Sequence, residues 1–576
     1  MVQVVVSKPQ GQIIGIRYVD GSNLLYFNND EISGGYWDVV WKFPGSAYPT
    51  GMNDMLDGTT ELMVVSASEE QVELSFMSTY DPSRLNSVPL NVDKRLVMLT
   101  GGSGFYCYAI FEHAGDWPAI DVSEARLVFK LDPTTFNYMA VSDGIQRYMP
   151  GPADRDAHRA VPLPLAYKEA FMGTHYIGND MMAKIEAGEH WKKVMGPVFI
   201  HLNSNPQQGA LWEDAKAQAE LEVSKWPYSF PESPDFHKAG ERGFVTGRLL
   251  VRDRYPGADV DVPAGLACVG LAAPGQPGSW ATESKGYQFW TRASATGGTF
   301  AIGNVWVPGV LGDYMRMAPV TVEPGGAVAL GDLVFEPPRS GPTLWEMGVP
   351  DRSAAEFFVP EPNPRYLSKL FVAGDRYRQY GLWERYAELY PAGDPVFTVG
   401  VSNHSKGWFF AHVTRKTGNG ENAPTTRRIA LAAAHMSKLM VQVFVTPVFG
   451  DDNAIARHAE HGRWWSFEFP IDGRLLVQGE NTITGNKPPH EAGLQVARQW
   501  AGCKCIRPRI NATSVERGHC KGGQRRWKAN GLRSTPSMLQ WAGWGVAKTS
   551  YDGGWIRAAA SSVASCDDHG RHCCEL

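Results

Sequence analysis

Arg95-Leu-Val-Met-Leu99, Gly101-Gly-Ser-Gly104 and Phe105-Tyr-Cys-Tyr-Ala-Ile-Phe111 place two apolar runs of strand length on either side of a glycine-rich turn. Both runs are too short for a globular helix and are rich in aromatic and branched residues, so they read as a β-hairpin. Just upstream, Val72, Leu74 and Phe76 alternate with Gln71, Glu73 and Ser75. That period of two describes a strand with one face on a core, and the hairpin is expected to share its wet opposite face. Gly101 to Gly104 is a turn rather than a phosphate cradle, because no helix follows it.

Working outward, the same texture runs from Met1 to about Ala140. Met1-Val-Gln-Val-Val-Val-Ser-Lys-Pro9 has no basic leader and no small-residue cleavage site, so it reads as a first strand rather than a secretion signal. One helix interrupts the strands, where Leu211, Ala215, Ala219 and Val223 recur at four-residue spacing before Trp226-Pro227 stops it. New strands begin at Gly243-Phe-Val-Thr-Gly-Arg-Leu-Leu-Val251 and end near Leu333-Val-Phe-Glu-Pro-Pro338, the length of a small β-sandwich. Pro337-Pro338 and Gly341-Pro342 mark the next boundary, and a third strand-rich block runs from about Leu344 to Ile483, with Val396-Phe-Thr-Val-Gly400 and Trp408-Phe-Phe-Ala-His-Val413.

Composition agrees with an all-β chain of several domains. Its 576 residues exceed what one core serves, and 19 Trp, 21 Tyr and 25 Phe beside 61 Gly and 39 Pro suit short strands joined by tight turns. With 43% hydrophobic and 20% charged residues the chain is too apolar for bulk disorder, and no apolar run is long enough for a membrane-spanning helix. Residues 484–576 differ from the rest: they hold 14 Lys+Arg against 6 Asp+Glu in a chain of net charge −5. They also hold six of the eight cysteines, and Cys107 and Cys268 alone make no disulfide framework for the body.

Familiar catalytic signatures are absent, with no phosphate loop, no His-Glu-x-x-His and no nucleophile elbow. Cys503-Lys-Cys505 and Cys566…His569…His572-Cys573-Cys574 miss the usual spacing of zinc ligands, so no metal or other cofactor is expected. The basic tail with Trp527, Trp541, Trp544 and Trp555 matches a nucleic-acid patch in composition alone, and neither nucleic acid nor membrane is an expected partner. An aromatic-rich sandwich protein with basic residues in its first domain suits an extended carbohydrate, whose rings stack on Trp and Tyr and whose uronate carboxylates pair with Arg and Lys. The competing reading puts most of those aromatics in the core.

Longer words carry a specific resemblance. Gly35-Tyr-Trp-Asp38, Tyr148-Met-Pro150, Trp191-Lys-Lys193, Gly196-Pro-Val-Phe199, Leu211-Trp-Glu-Asp-Ala215 and Trp226-Pro-Tyr-Ser-Phe-Pro231 resemble plant rhamnogalacturonan endolyases, of polysaccharide lyase family four. So do Arg248-Leu-Leu-Val-Arg-Asp-Arg-Tyr255, Tyr287-Gln-Phe-Trp-Thr-Arg292, Gly341-Pro-Thr-Leu-Trp-Glu346, Pro350-Asp-Arg-Ser-Ala-Ala-Glu356, Gln379-Tyr-Gly-Leu-Trp-Glu-Arg-Tyr386 and Ile455-Ala-Arg-His458. The resemblance runs from about residue 3 to Ile483. It implies a galactose-mutarotase-like β-sandwich over 1–238, internally truncated here, a fibronectin-III-like sandwich over 241–338 and a carbohydrate-binding-like jelly roll over 341–483. Residues 484–576 form a tail foreign to the family.

The resemblance further implies an extracellular, cell-wall protein, expected to be monomeric, whose partner is rhamnogalacturonan I. The family's reaction is a β-elimination across the bond from rhamnose to C4 of galacturonate. A base takes the C5 proton, positive groups stabilise the enolate-like charge, and an acid assists departure of the C4 oxygen. The lysine and histidine assigned to that work lie, in the family, between the equivalents of Pro164-Leu-Ala-Tyr167 and Thr174-His-Tyr176. Here Pro164-Leu-Ala-Tyr-Lys-Glu-Ala-Phe-Met-Gly-Thr-His-Tyr176 runs straight through, so no catalytic residue is assigned and the chain is expected to be inactive as a lyase. Lys168 stands where the family has proline and His175 belongs to a separate strand word, so both are read as bystanders. Arg147 and Arg155 remain in a stretch resembling the family's Asp-Asp-Arg-Gln-Arg…Glu-Asp-Arg, with Ile145 in place of its first arginine, and are the substrate-binding candidates. Arg147 reads equally as a grip on a uronate carboxylate and as half of a surface ion pair. The alternative function is a non-catalytic pectin-binding protein.

Overall fold

The computed structural model describes residues 2–336 apart from 19–20, 28–32, 47–50, 144, 149–164, 175–180, 254–259, 277–278, 307–308 and 313–316. Beyond these it describes parts of 358–435 and the strands at 478–487, 508–511 and 528–531.

The first 201 residues fold as strands β1 (Val2–Val6), β2 (Ile13–Tyr18), β3 (Gly35–Lys42), β4 (Met52–Asp54), β5 (Thr60–Ala67), β6 (Gln71–Ser78) and β7 (Asn91–Leu99). They continue as β8 (Gly104–His113), β9 (Ile120–Leu131), β10 (Tyr138–Ser142), β11 (Ile145–Tyr148), β12 (Leu165–Gly173), β13 (Ala183–Ile185) and β14 (Trp191–His201). One sheet has the order β1-β2-β3-β9-β12, with β4 on β3 and β13 on β9. The facing sheet has the order β14-β8-β7-β6-β5, and β10 pairs with β11.

Side-chain alternation makes the sandwich. Trp37, Val39 and Trp41 from β3, Leu127 and Phe129 from β9, and Phe105, Cys107, Ala109 and Phe111 from β8 share one buried cluster between the sheets. Edge contacts cross from sheet to sheet, with Phe105 and Phe129 centroids 6.0 Å apart and Trp37 and Phe111 6.1 Å apart. The opening hairpin is β7 and β8, antiparallel as expected, and Gly101 in its turn takes φ +79, which glycine adopts without strain.

The expectation of one wet face fails. Glu73 and Ser75, the polar half of the β6 alternation, are 0% and 2% exposed. On β8 the residues between the core positions, Tyr106, Tyr108 and Ile110, join Val97, Phe199, Tyr228 and Phe236 in a second buried cluster. The cover comes from a helix, α1 (Gln208–Lys225), and from the Trp226–Phe236 segment after it. Burial is tolerated because the polar groups are paired. Glu73 accepts hydrogen bonds from Arg95 Nη1 (2.8 Å), Tyr108 Oη (2.5 Å) and the Glu232 backbone N–H (3.0 Å). Asp93 accepts from Arg95 Nε (2.7 Å) and Ser75 Oγ (2.5 Å).

The helix α1 extends beyond the expected Leu211–Val223, and its buried positions are Trp212 and Glu222, with the Leu211, Ala215, Ala219 and Val223 stripe half-buried. Glu222 is the polar centre of this packing, accepting from the hydroxyls of Tyr106 (2.9 Å) and Tyr228 (2.8 Å), from Gln218 Nε2 (2.7 Å) and from Lys225 Nζ (2.9 Å).

A second β-unit follows, with β15 (Gly243–Arg252), β16 (Asp261–Pro263), β17 (Cys268–Leu271), β18 (Phe289–Arg292), β19 (Thr299–Val305), β20 (Gly309–Gly312), β21 (Met317–Val320) and β22 (Ala327–Phe335). β15 pairs antiparallel with β16 and β19 and parallel with β22, around its own apolar cluster of Val245, Leu249, Leu271, Phe289, Phe300 and Ile302. In the third block the strand Thr425–His435 lies between Val396–Thr398 and Gln478–Lys487. That last strand runs past the boundary expected at 483, because Thr425 to Arg428 provide ladder partners through Lys487. Strands Pro508–Asn511 and Lys528–Gly531 pair with each other in the basic tail, whose cysteines lie outside the described residues. Among the described residues the architecture is all-β with one long helix.

Candidate functional site

The side of the β3–β9–β12 sheet turned away from the sandwich core carries the charged residues. Alternation puts Trp37, Val39, Ala125 and Leu127 inward, which leaves Tyr36, Asp38, Glu124, Arg126 and Val128 on the outer side. The β3–β9 register sets Asp38 directly across from Arg126 and Tyr36 across from Val128. Arg126 therefore grips Asp38 bidentately, Nε to Oδ1 at 2.8 Å and Nη2 to Oδ2 at 2.5 Å, while its Nη1 meets Glu124. Asp38 is 1% exposed, so the pair is held by mutual charge and hydrogen bonding in place of water. Two carboxylates around one guanidinium leave this cluster with no surplus positive charge for an enolate-like anion.

Three other cations of this domain are also committed internally. Lys94 reaches inward to the Gln10 carbonyl (2.8 Å) and the Leu56 carbonyl (2.5 Å), and burial pushes its ammonium down to about 8 despite Asp57 and Asp54. Lys193 donates to the Ser284 (3.1 Å) and Gly286 (2.8 Å) carbonyls of the second β-unit, and burial lowers it likewise to about 8. Arg95 is spent on Asp93 and Glu73.

Of the sequence candidates, Arg147 lies in β11, across from Met139. Its hairpin is tied to α1 at the turn, where Asp143 Oδ1 accepts from Trp212 Nε1 (2.6 Å) and Lys216 Nζ (2.9 Å). Arg155 and His175 lie outside the described residues. Lys168 falls in β12 opposite Val128, two register positions from the Asp38–Arg126 pair. β12 follows β9 continuously from Leu165 to Gly173 with one register shift, between Ala170 and Met172. The Asp38–Arg126–Glu124 cluster escapes a reading of the sequence because its central pair, Asp38 and Arg126, meets only across strands. The charged alternation at Glu124, Arg126 and Lys130 in β9 is its one local signal.

A large β-sandwich with a charged outer sheet face, followed by a smaller β-unit and a further strand-rich block, defines a modular all-β protein. The family models agree: the rhamnogalacturonate lyase family matches residues 1–185, polysaccharide lyase family 4 domain II matches 264–330, and the carbohydrate-binding-module-like domain III of the same family matches 343–500. The chain belongs to this rhamnogalacturonate lyase family. Among curated proteins, it is 25% identical over 180 residues to a probable rhamnogalacturonate lyase B of Aspergillus niger, a match spanning 29% of this chain and 24% of that protein. The chain thus matches about a quarter of that relative's length. No solved structure matches it.

Proposed function

We propose that this chain is a rhamnogalacturonan endolyase homologue that holds the pectic backbone without cleaving it. The observation that carries the reading is the continuity of β12. The resemblance places the family's catalytic lysine and histidine within this stretch of sequence, and here Leu165 to Gly173 form one strand along β9 with a single register shift. Elimination needs a base at C5–H, an acid at O4 and a cation at the uronate carboxylate. Arg126 is taken by Asp38 and Glu124, which leaves Arg147 and Arg155 as the grips on uronate and no assigned acid–base pair. A pectic partner implies an extracellular, cell-wall setting, and a single chain suffices for this binding.

The test combines two measurements on the purified full chain with rhamnogalacturonan I. Calorimetric titration is expected to show binding, weakened in Arg147→Ala. Ultraviolet absorbance is expected to show no unsaturated uronate, since each missing acid–base group costs about 10²–10⁴-fold. Elimination at the rate of a full-length relative overturns the loss of activity and sends the search to Lys168 and His175. Absence of binding overturns the retained grip.

A further inference from the structure

Trp290 of the second β-unit stands apart from that unit's core. Its neighbour Phe289 packs inward with Val269 and Leu271 from β17, so alternation turns Trp290 to the outer side of the β17–β18 ladder, where it is half-buried. The ladder sets Trp290 directly across from Gly270. Its six-membered ring lies on the glycine backbone: a Cβ at Gly270 would fall 1.9–2.1 Å from Cζ3, Cε3 and Cη2 of the indole. The indole N–H is held by Gln288 Oε1 at 3.1 Å, and the Gln288 amide in turn donates to the carbonyls of Trp280 (3.0 Å) and Glu283 (3.2 Å). Trp280 stands edge-on, its centroid 5.8 Å away at 62°. Backing by a bare backbone, a fixed N–H and a side wall together hold the ring in one orientation before any ligand arrives.

The same loop is bolted to the first sandwich. Trp191 Nε1 donates to the Lys285 carbonyl (3.1 Å), Tyr287 Oη accepts from the Val194 N–H (2.9 Å), and Lys285 pairs with Glu189 (2.7 Å). With Lys193 on the Ser284 and Gly286 carbonyls, these contacts fix the platform relative to the domain expected to hold the polysaccharide.

We propose that Trp290 is a sugar-stacking subsite on the second β-unit, taking one pyranose ring of the pectic backbone flat on its indole with Trp280 as the side wall. The inference rests on the binding reading above. A pyranose presents a face of C–H groups that packs on an aromatic ring, and a ring already immobilised loses little side-chain freedom on binding. The subsite extends the contact beyond the first sandwich, so it matters for long oligosaccharides and not for short ones.

The test uses the full chain and rhamnogalacturonan I oligosaccharides of increasing length. Oxidative footprinting read residue by residue in the unmodified chain is expected to show Trp290 protected by long oligosaccharides and unprotected by short ones. Trp290→Leu, which keeps an apolar cover over Gly270 without an aromatic face, is expected to lose about tenfold in affinity for the long ligands with its melting temperature within a few degrees of the parent. Binding with Trp290 still open to oxidation overturns the subsite even where the Leu variant fails to fold, and so does full affinity in a folded Leu variant. No binding by the unmodified chain overturns the function proposed above and this subsite with it, whereas binding without protection overturns the subsite alone.

Discussion

The guanidinium of Arg242 lies 4.0 Å from the centroid of the Trp306 ring, and the same group sits 5.0 Å from Trp226 and 5.1 Å from Phe236. One buried cation thus gathers the residue that ends α1, the linker after it and a residue of the second β-unit, while its Nε donates to the His237 carbonyl at 2.6 Å. Cation–π contact strengthens as water is excluded, reaching about 2 kcal/mol or more. Arg242→Ala is therefore expected to lower the stability of the first two units by at least about 2 kcal/mol, with Arg242→Lys intermediate because an ammonium cannot lie flat on several rings. Urea unfolding followed by tryptophan fluorescence measures it, and an unchanged midpoint in the Ala variant refutes the role.

Alkaline pH should stabilise the chain through its two buried lysines. Lys94 and Lys193 are pushed down to about 8, from 10.5, by burial. Between those values the unfolded chain binds protons that the folded chain does not, so stability rises as pH increases from about 8 to 10.5. A neutral amine still has two N–H groups for the two carbonyls each lysine meets, so neither attachment is lost. Melting curves across this window for the parent and Lys94→Met are expected to show the steeper rise in the parent. Parallel slopes would exclude Lys94 as a source.

Glu222 tests how firmly the outer face of the β14–β5 sheet is sealed. Its carboxylate is fully buried, and both tyrosine hydroxyls on it come from elements that cover that face or lie in it. Glu222→Ala leaves the Tyr106 and Tyr228 hydroxyls without their acceptor, at an expected cost of about 3 kcal/mol. Amide exchange in β8 and α1 should accelerate together if the two are joined through this residue. Faster exchange in α1 alone would show that the seal lies elsewhere.

How far the fold can be read from the chain follows from the range of the interactions that decide it. Alternation at Val72, Leu74 and Phe76 is local and identifies β6 correctly, and the four-residue stripe locates α1. The fate of Glu73 depends on Arg95, Tyr108 and the Glu232 backbone, partners up to 159 residues away, and that of Ser75 on Asp93, so the local pattern assigns them to water. Arg126 and Asp38 meet across strands 88 residues apart in sequence. The family words bring Arg147 and Arg155 into view and take in Asp143, but they carry no information on its link to Trp212 and Lys216, which anchors the β10–β11 hairpin. Trp290 appears in one of those words, and its opposition to Gly270 requires the ladder.

The Asp38–Arg126 pair separates support of the site from contact with polysaccharide. Removing one partner of a buried ion pair leaves an uncompensated charge, which costs about 3–5 kcal/mol, while replacing both with apolar residues is close to neutral. Asp38→Ala is expected near the lower end of that range because Glu124 still faces the guanidinium. Asp38→Leu combined with Arg126→Leu should recover most of the loss, giving a large favourable coupling in a double-mutant cycle. Glu124 becomes the uncompensated group in the double variant, so adding Glu124→Gln should restore the remainder. Since Arg126 is committed to carboxylates of its own sheet, affinity for rhamnogalacturonan should survive in the folded triple variant while it falls in Arg147→Ala. Equal loss of affinity in both would mean that the Asp38–Arg126–Glu124 cluster contacts the polysaccharide itself.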